Sequence, residues 1–180
     1  MEEFCLKKLE QTGNEITING EKIFFSAAQC EKSRKRTTNK WFEVQDSISF
    51  YADFAQKKII YPNQTTHLSF YLDTEGYYIN QKAYMIVGKH LGYLTAFFNS
   101  ALFRYCFTDN FPIIQGAGRE MNESIFKRIP VKDVTDEEDA EYERRVMEIQ
   151  QMKREGLCTD EKEHELDLMI FAHYGITDLE

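Results

Sequence analysis

Residues 91–107, LGYLTAFFNSALFRYCF, are too apolar to lie bare on a surface. Leu91, Leu94, Phe98, Ala101, Leu102 and Tyr105 recur at the i, i+3, i+4, i+7 spacing of one helix face. A chain carrying this segment must fold so that other elements cover that face. Asn99 and Ser100 stand in the middle of it, where Ala or Leu would hold a helix better. Each bonds local backbone in competing conformations and costs a helix roughly a few tenths of a kcal/mol. Propensity leaves the pair unexplained.

At 180 residues the chain holds one ordinary domain, or one domain with a small appendage. A hydrophobic fraction of 42%, with 14% aromatics, supplies a sizeable core. No run approaches the ~20 apolar residues of a membrane span, so no membrane partner is expected. The opening EEFCLKKLEQ lacks the apolar stretch of a secretory signal. Cys5, Cys30, Cys106 and Cys158 lie far apart without a C-x-x-C, which points to unpaired thiols in a reducing cytosol. A cytoplasmic location is expected.

Along the chain, EEFCLKKLEQTG reads as a short helix ending near Gly13, and NEITINGEKIFFSA as two extended runs about the turn ING. Lys57 to Tyr61 reads as a strand stopped by Pro62. LSFYLDTEGYYINQKAYMIVG reads as a hairpin or two closely linked strands, with DTEG as its turn. The glycine-rich QGAGRE leads to a short helix capped by Asn122, and IPV suggests one more strand. Then the composition changes. TDEEDAEYERRVMEIQQMKREG is a charged helix with one narrow stripe, Tyr142, Val146, Ile149 and Met152. Gly156 ends it, and a second helix follows with Thr159 as cap and Leu166, Met169, Ile170 and His173 on its apolar side. The expected fold is α+β: a mixed or antiparallel sheet with packed helices over residues 1–132, then a helical hairpin over 136–180 packing on the body or on a partner.

Charge follows the same division. Residues 1–130 carry 16 Lys and Arg against 14 Asp and Glu, a balance of +2, while residues 131–180 carry 6 against 16, a balance of −10. The first part can face a polyanion and the last fifty residues would repel one. Within the first part, CEKSRKRTTNKW holds Lys32, Arg34, Lys35, Arg36 and Lys40 with almost no apolar residue. It reads as an exposed loop or arm, either simply solvated or neutralising backbone phosphates without reading sequence. Trp41 at its edge reads as a structural core anchor more than as a stacking platform. Gln115 and Arg119 flank flexible glycines and could reach a groove, Gln towards adenine and Arg towards guanine, unless the segment is only a tight connection.

Catalytic chemistry is missing. There is no P-loop, G-x-G-x-x-G, G-x-S-x-G or H-E-x-x-H, and the four histidines have no metal-ligand spacing. No catalytic residue, metal site or cofactor site is expected in this chain.

NKWFEVQDSISFYADFAQKKIIYPN, YLDTEGYYIN, YLTAFFNSALFRYCF, QGAGREM, FKRIPV and HELDLMIFAHYGIT follow one another in an order that resembles the TaqI-like C-terminal specificity domain of type IIG restriction-modification enzymes. These are the Eco57I-like fusions of a nuclease with an adenine methyltransferase. The resemblance covers most of Thr38 to Thr177. It implies a target-recognition module for double-stranded DNA, read in the major groove. It also implies methyltransferase and nuclease domains that lie outside this chain and use S-adenosylmethionine and Mg. The family's Asn-Ser in the matching helix suggests that Asn99 and Ser100 leave the apolar stripe and bond the neighbouring strand or loop, fixing helix to sheet. The acidic helices should face away from DNA; their stripe either docks on a partner domain or folds back on its own hairpin. A protein-binding adaptor using those helices, or a module like a type I specificity subunit, is the competing reading.

Overall fold

The computed structural model describes residues 15–18, 21–24, 50–114 and 118–176. The chain forms two compact units, Met1–Ser49 and Phe50–Glu180. In the first, Glu15–Ile18 (β1) pairs antiparallel with Glu21–Phe24 (β2), Ile18 opposite Glu21. These are the two extended runs expected about ING. The expected N-terminal helix, the basic stretch with Lys32, Arg34, Lys35, Arg36 and Lys40, and Trp41 lie outside the described residues.

In the second unit a 3-10 turn, Tyr51–Ala55, leads into β3 (Lys58–Pro62), β4 (Gln64–Thr65), β5 (Tyr71–Asp73) and β6 (Ala83–Ile86). Helices α1 (Leu91–Asn99) and α2 (Ala101–Phe107) follow, then β7 (Ile113–Ile114), β8 (Gly118–Glu120) and the short helix α3 (Glu123–Phe126). Two longer helices close the chain, α4 (Asp136–Arg154) and α5 (Asp160–Tyr174). The class is α+β, with small antiparallel sheets ordered β5-β3-β6 and β4-β8-β7.

Residues 68–88 do not form a hairpin. β5 and β6 flank β3 on opposite sides, each antiparallel to it, so they run parallel to one another. Asp73 is the reason. Its carboxylate accepts from the N–H groups of Glu75 (2.8 Å), Gly76 (3.2 Å) and Tyr77 (2.8 Å), which turns the chain away from a return alongside β5. Residues 74–82 then carry it from the Lys58 end of the sheet to the Pro62 end. Pro62 is inside β3 rather than beyond it, paired with Ala83. Strand hydrogen bonds alternate in direction, and those of Lys58, Ile60 and Pro62 turn towards β5. β5 begins opposite Ile60, so the missing proline N–H has no partner to lose.

The long apolar helix is broken. Ser100 adopts an extended backbone (φ −68°, ψ 157°), its Oγ accepts from Phe103 N at 3.1 Å as the N-cap of α2, and it donates to the Phe97 carbonyl at 2.6 Å. The hydroxyl satisfies both helix ends at the corner. The break re-aims α2, so Phe103 is fully buried while Tyr105, expected on the apolar stripe, is 90% exposed. No strand forms at IPV. Ile129 N continues the turn after α3 by donating to the Phe126 carbonyl, and Pro130 cannot donate to a ladder.

The core is aromatic. Phe70, Phe97, Phe98, Phe103, Phe111 and Tyr61 are buried together, and Tyr142, Val146, Ile149, Leu166 and Ile170 of the last two helices join them. The stripe of α4 thus packs on α1 and the body. Thr135 and Glu138 form a capping box at its start. Thr159 stands at the N-cap position of α5, but its hydroxyl donates to Glu163 rather than capping. Cys106 and Cys158 are free and exposed.

α1 and α4 approach so closely at Gly92 that a Cβ there would lie 2.6 Å from Glu143 Cβ and 2.7 Å from its Cα and N. Two of those atoms are backbone and cannot rotate aside. Gly92→Ala gains about 1 kcal/mol of helix propensity and loses about 1–3 kcal/mol or more to overpacking. A net fall in the urea midpoint at unchanged m-value is expected.

Candidate nucleic-acid interface

Edge strands expose backbone groups that must find partners. On the outer edge of β5 the partners are side chains. Asn99 Oδ1 accepts from Phe70 N (3.1 Å) and its Nδ2 donates to the Phe70 carbonyl (2.8 Å). Gln150 of α4 repeats the arrangement two residues on: Oε1 accepts from Leu72 N (2.8 Å) and Nε2 donates to its carbonyl (3.0 Å). Each carboxamide imitates one residue of a neighbouring strand. Asn99 also donates to the Thr95 carbonyl (2.9 Å), tying α1 to the sheet. The hydroxyl of Ser100, by contrast, bonds only the helix corner, at Phe97 and Phe103.

The opposite face of β3 carries Lys58, completely buried beside an equally buried Asp73 with which it forms an ion pair. Lys58 Nζ also donates to the Phe54 carbonyl at 2.7 Å, so one ammonium holds both the 3-10 turn and the 74–82 crossover. Burial pushes the Asp73 carboxyl up, but the Lys58 ammonium and the N–H groups of Glu75 and Tyr77 outweigh it, and the group titrates below its ordinary value. Tyr78 packs on Phe54 and Tyr51.

The small sheet holds the groove candidates. β7 and β8 are antiparallel, Ile114 opposite Gly118, and β4 pairs on the other side of β8, Thr65 opposite Arg119. Gln115 belongs to the connection between Ile114 and Gly118, outside the described residues. Arg119 points back along its own loop: Nη1 donates to the Phe111 carbonyl (3.1 Å) and Nη2 to Asp109 (2.7 Å). Asp109 is 93% exposed, and an exposed pair of this kind holds by about 1 kcal/mol or less, so a stronger acceptor can displace it.

The acidic helices meet the body's polar groups at close quarters. Asp139 Oδ1 accepts from Tyr93 N (2.8 Å) in the first turn of α1, and Asp167 Oδ1 from Ala101 N (2.8 Å) at the start of α2. Lys57 pairs with Glu143 and Glu75 with Arg154, each at 2.6 Å. Lys82, Lys89 and Arg128 make no ion pair among the described residues, while Arg104 lines one cavity with Glu163 and Asp167 of α5. Gln150, Asp139, Asp167 and the Lys58–Asp73 pair were not singled out by sequence reasoning. Only Asp73 carried a signal, as the first residue of D-T-E-G.

Residues 12–131 match the family model of the TaqI-like C-terminal specificity domain. The chain belongs to this family. A comparison with curated proteins found none that matches. A specificity domain is the DNA target-recognition module of a restriction-modification enzyme, and the matched segment includes the basic stretch, the Asn99–Ser100 corner and the β7–β8 sheet. α4 and α5 lie beyond the matched residues, yet they supply Gln150, Asp139 and Asp167 to them. Among the described residues no three His, Cys, Asp or Glu side chains gather to hold a metal ion, and no helix is long and apolar enough to cross a membrane.

Leucine at either carboxamide tests the edge closure of the specificity domain. Gln150→Leu strands the two backbone groups of fully buried Leu72, and a loss of roughly 1–3 kcal/mol is expected by urea denaturation. Asn99 is itself exposed, water can replace part of its bonding, and Asn99→Leu should cost less, about 1–2 kcal/mol. The ion pair predicts a pH signature. Because the folded Asp73 value is depressed, its stabilisation is complete above the unfolded value of about 4 and is lost as pH falls through the lower folded value. Lys58→Met removes the cation and leaves burial to raise the carboxyl. The variant should be less stable by about 3–5 kcal/mol near neutrality. Because its carboxyl is no longer held down, its urea midpoint should fall less than that of wild type, or rise, as pH is lowered through about 4, read between pH 3 and 8.

Proposed function

We propose that this specificity domain reads duplex DNA for a type IIG restriction-modification enzyme, directing adenine methylation and cleavage by domains outside the chain. The family match over residues 12–131 carries the reading. In it, Lys32, Arg34, Lys35, Arg36 and Lys40 neutralise phosphates, and Gln115 and Arg119 approach the groove. S-adenosylmethionine and Mg belong to the methyltransferase and nuclease domains, since this chain has neither the Asn-Pro-Pro-Tyr motif nor a cofactor-binding glycine strand. The enzyme works in the cytoplasm. The acidic α4–α5 pair, two of whose carboxylates are committed to helix ends, is turned away from the duplex.

Fluorescence anisotropy with a random-sequence duplex at 50 and 200 mM salt tests this. Binding should fall steeply with salt, and replacing Arg34, Arg36 and Lys35 together by Ala should weaken it on every sequence. The slope of log K against log salt should shrink by ~0.9 per lost phosphate contact, up to ~2.7 in all. An unchanged slope would remove the basic stretch from the interface. Absence of binding at low salt, persisting after the methyltransferase half is added back, would sink the recognition reading in favour of a protein-binding adaptor.

A further inference from the structure

Which side chains reach base edges is a question inside the recognition reading, and its answer rests on that reading. Asn63 joins three pieces of chain. Its N–H donates to the Lys82 carbonyl (3.0 Å), its Nδ2 to the Gln81 carbonyl (2.9 Å), and its own carbonyl accepts from Met121 N (2.8 Å). Asn80 closes the turn from within, its Oδ1 accepting from Lys82 N (2.9 Å) and its carbonyl from Ala83 N (3.1 Å). The backbone of residues 80–82 is therefore pinned beside the start of β4 and the end of β8. The side chains are not. Gln81, Lys82 and Gln64 are exposed, and among the described residues their side chains make no hydrogen bond or ion pair.

We infer that Gln81 and Lys82, with Gln64 beside them, contact base edges in the major groove, as a reading point beside the Gln64–Glu120 end of the small sheet. A glutamine amide matches adenine N6 and N7, and a lysine ammonium matches guanine O6 and N7. Base contacts need a fixed backbone beneath them, whereas phosphate contacts position the protein without carrying sequence information. Asn63 supplies the fixed backbone. Glu120, exposed and opposite Gln64 in the register, points the same way. A carboxylate there repels phosphate but accepts from a cytosine amino group. β8 is three residues long, roughly 7–10 Å at about 3.3 Å per residue. The Gln64 end and the Gly118 end of the sheet are thus about two or three base pairs apart at ~3.4 Å per pair.

The test is selection from a randomised duplex library with the full chain, run on wild type, Gln81→Ala and Lys82→Ala, followed by anisotropy on the selected duplex. Wild type should enrich one motif. Each variant should keep its urea midpoint and lose discrimination at one or two base pairs by about 5- to 150-fold, with the salt slope of Gln81→Ala unchanged. Variants that select the wild-type motif at wild-type strength would overturn the inference and leave the recognition reading standing. Uniform weakening of Lys82→Ala on all sequences, with a slope smaller by ~0.9, would put that residue on phosphate and overturn its assignment. A wild type that enriches nothing, alone and again after the methyltransferase half is added back, would remove the recognition reading and this inference with it.

Discussion

An unpaired strand edge is a row of donors and acceptors that must be met by protein or left to water, and the outer edge of β5 is met by two carboxamides. Asn99 takes Phe70 and Gln150 takes Leu72, the two residues whose backbone faces away from β3. The side chains of these same residues enter the core. One pair of amides therefore fixes the end of α1, the flank of α4 and the position of the aromatic cluster relative to the sheet. A leucine at either site would keep the hydrophobic contact but not the register, because apolar packing is non-directional and a two-pronged amide is not.

The acidic C-terminal helices acquire a physical role from the same geometry. A helix start concentrates unsatisfied N–H groups and partial positive charge. His90 precedes α1 in a left-handed conformation and offers no side-chain cap, so the first turn is capped from outside by Asp139. Asp167 adds a carboxylate at the start of α2, where Ser100 is already the cap. Part of the −10 balance of residues 131–180 is thus spent inside the protein. The remaining charge makes the helical side inhospitable to a polyanion, in keeping with the proposal that DNA lies against the body.

Recognition asks for stiffness at some places and reach at others. The buried Lys58–Asp73 pair fixes the crossover from β5 to β6 at its beginning, and Asn63 fixes it at its end. Polar side chains at positions 81 and 82 project from a backbone with little freedom. The phosphate role proposed for the basic residues between 32 and 40 is a different need, which depends on number and sign more than on placement.

The sequence by itself determined most of the element types, because hydrophobic spacing and turn residues act locally; the strand expected at IPV and the unbroken helix over 91–107 were the exceptions. The strand expected from Lys57 to Tyr61, one residue off the observed bounds, the Asn122 cap, the stripe of α4, the end at Gly156 and the order of family motifs were all legible. It also showed that Asn99 and Ser100 were out of place in a continuous helix. Tertiary structure alone decided what they do. Whether Ser100 breaks the helix depends on covering Phe103 elsewhere, and whether Asn99 is useful depends on Phe70 arriving opposite it. The placing of β5 and β6 on either side of β3, rather than against each other, turned on a buried lysine reaching Asp73. Gln150, Asp139 and Asp167 gave no local signal, since a polar residue on a charged helix looks the same whether it faces water or a strand edge brought to it from 78 residues away.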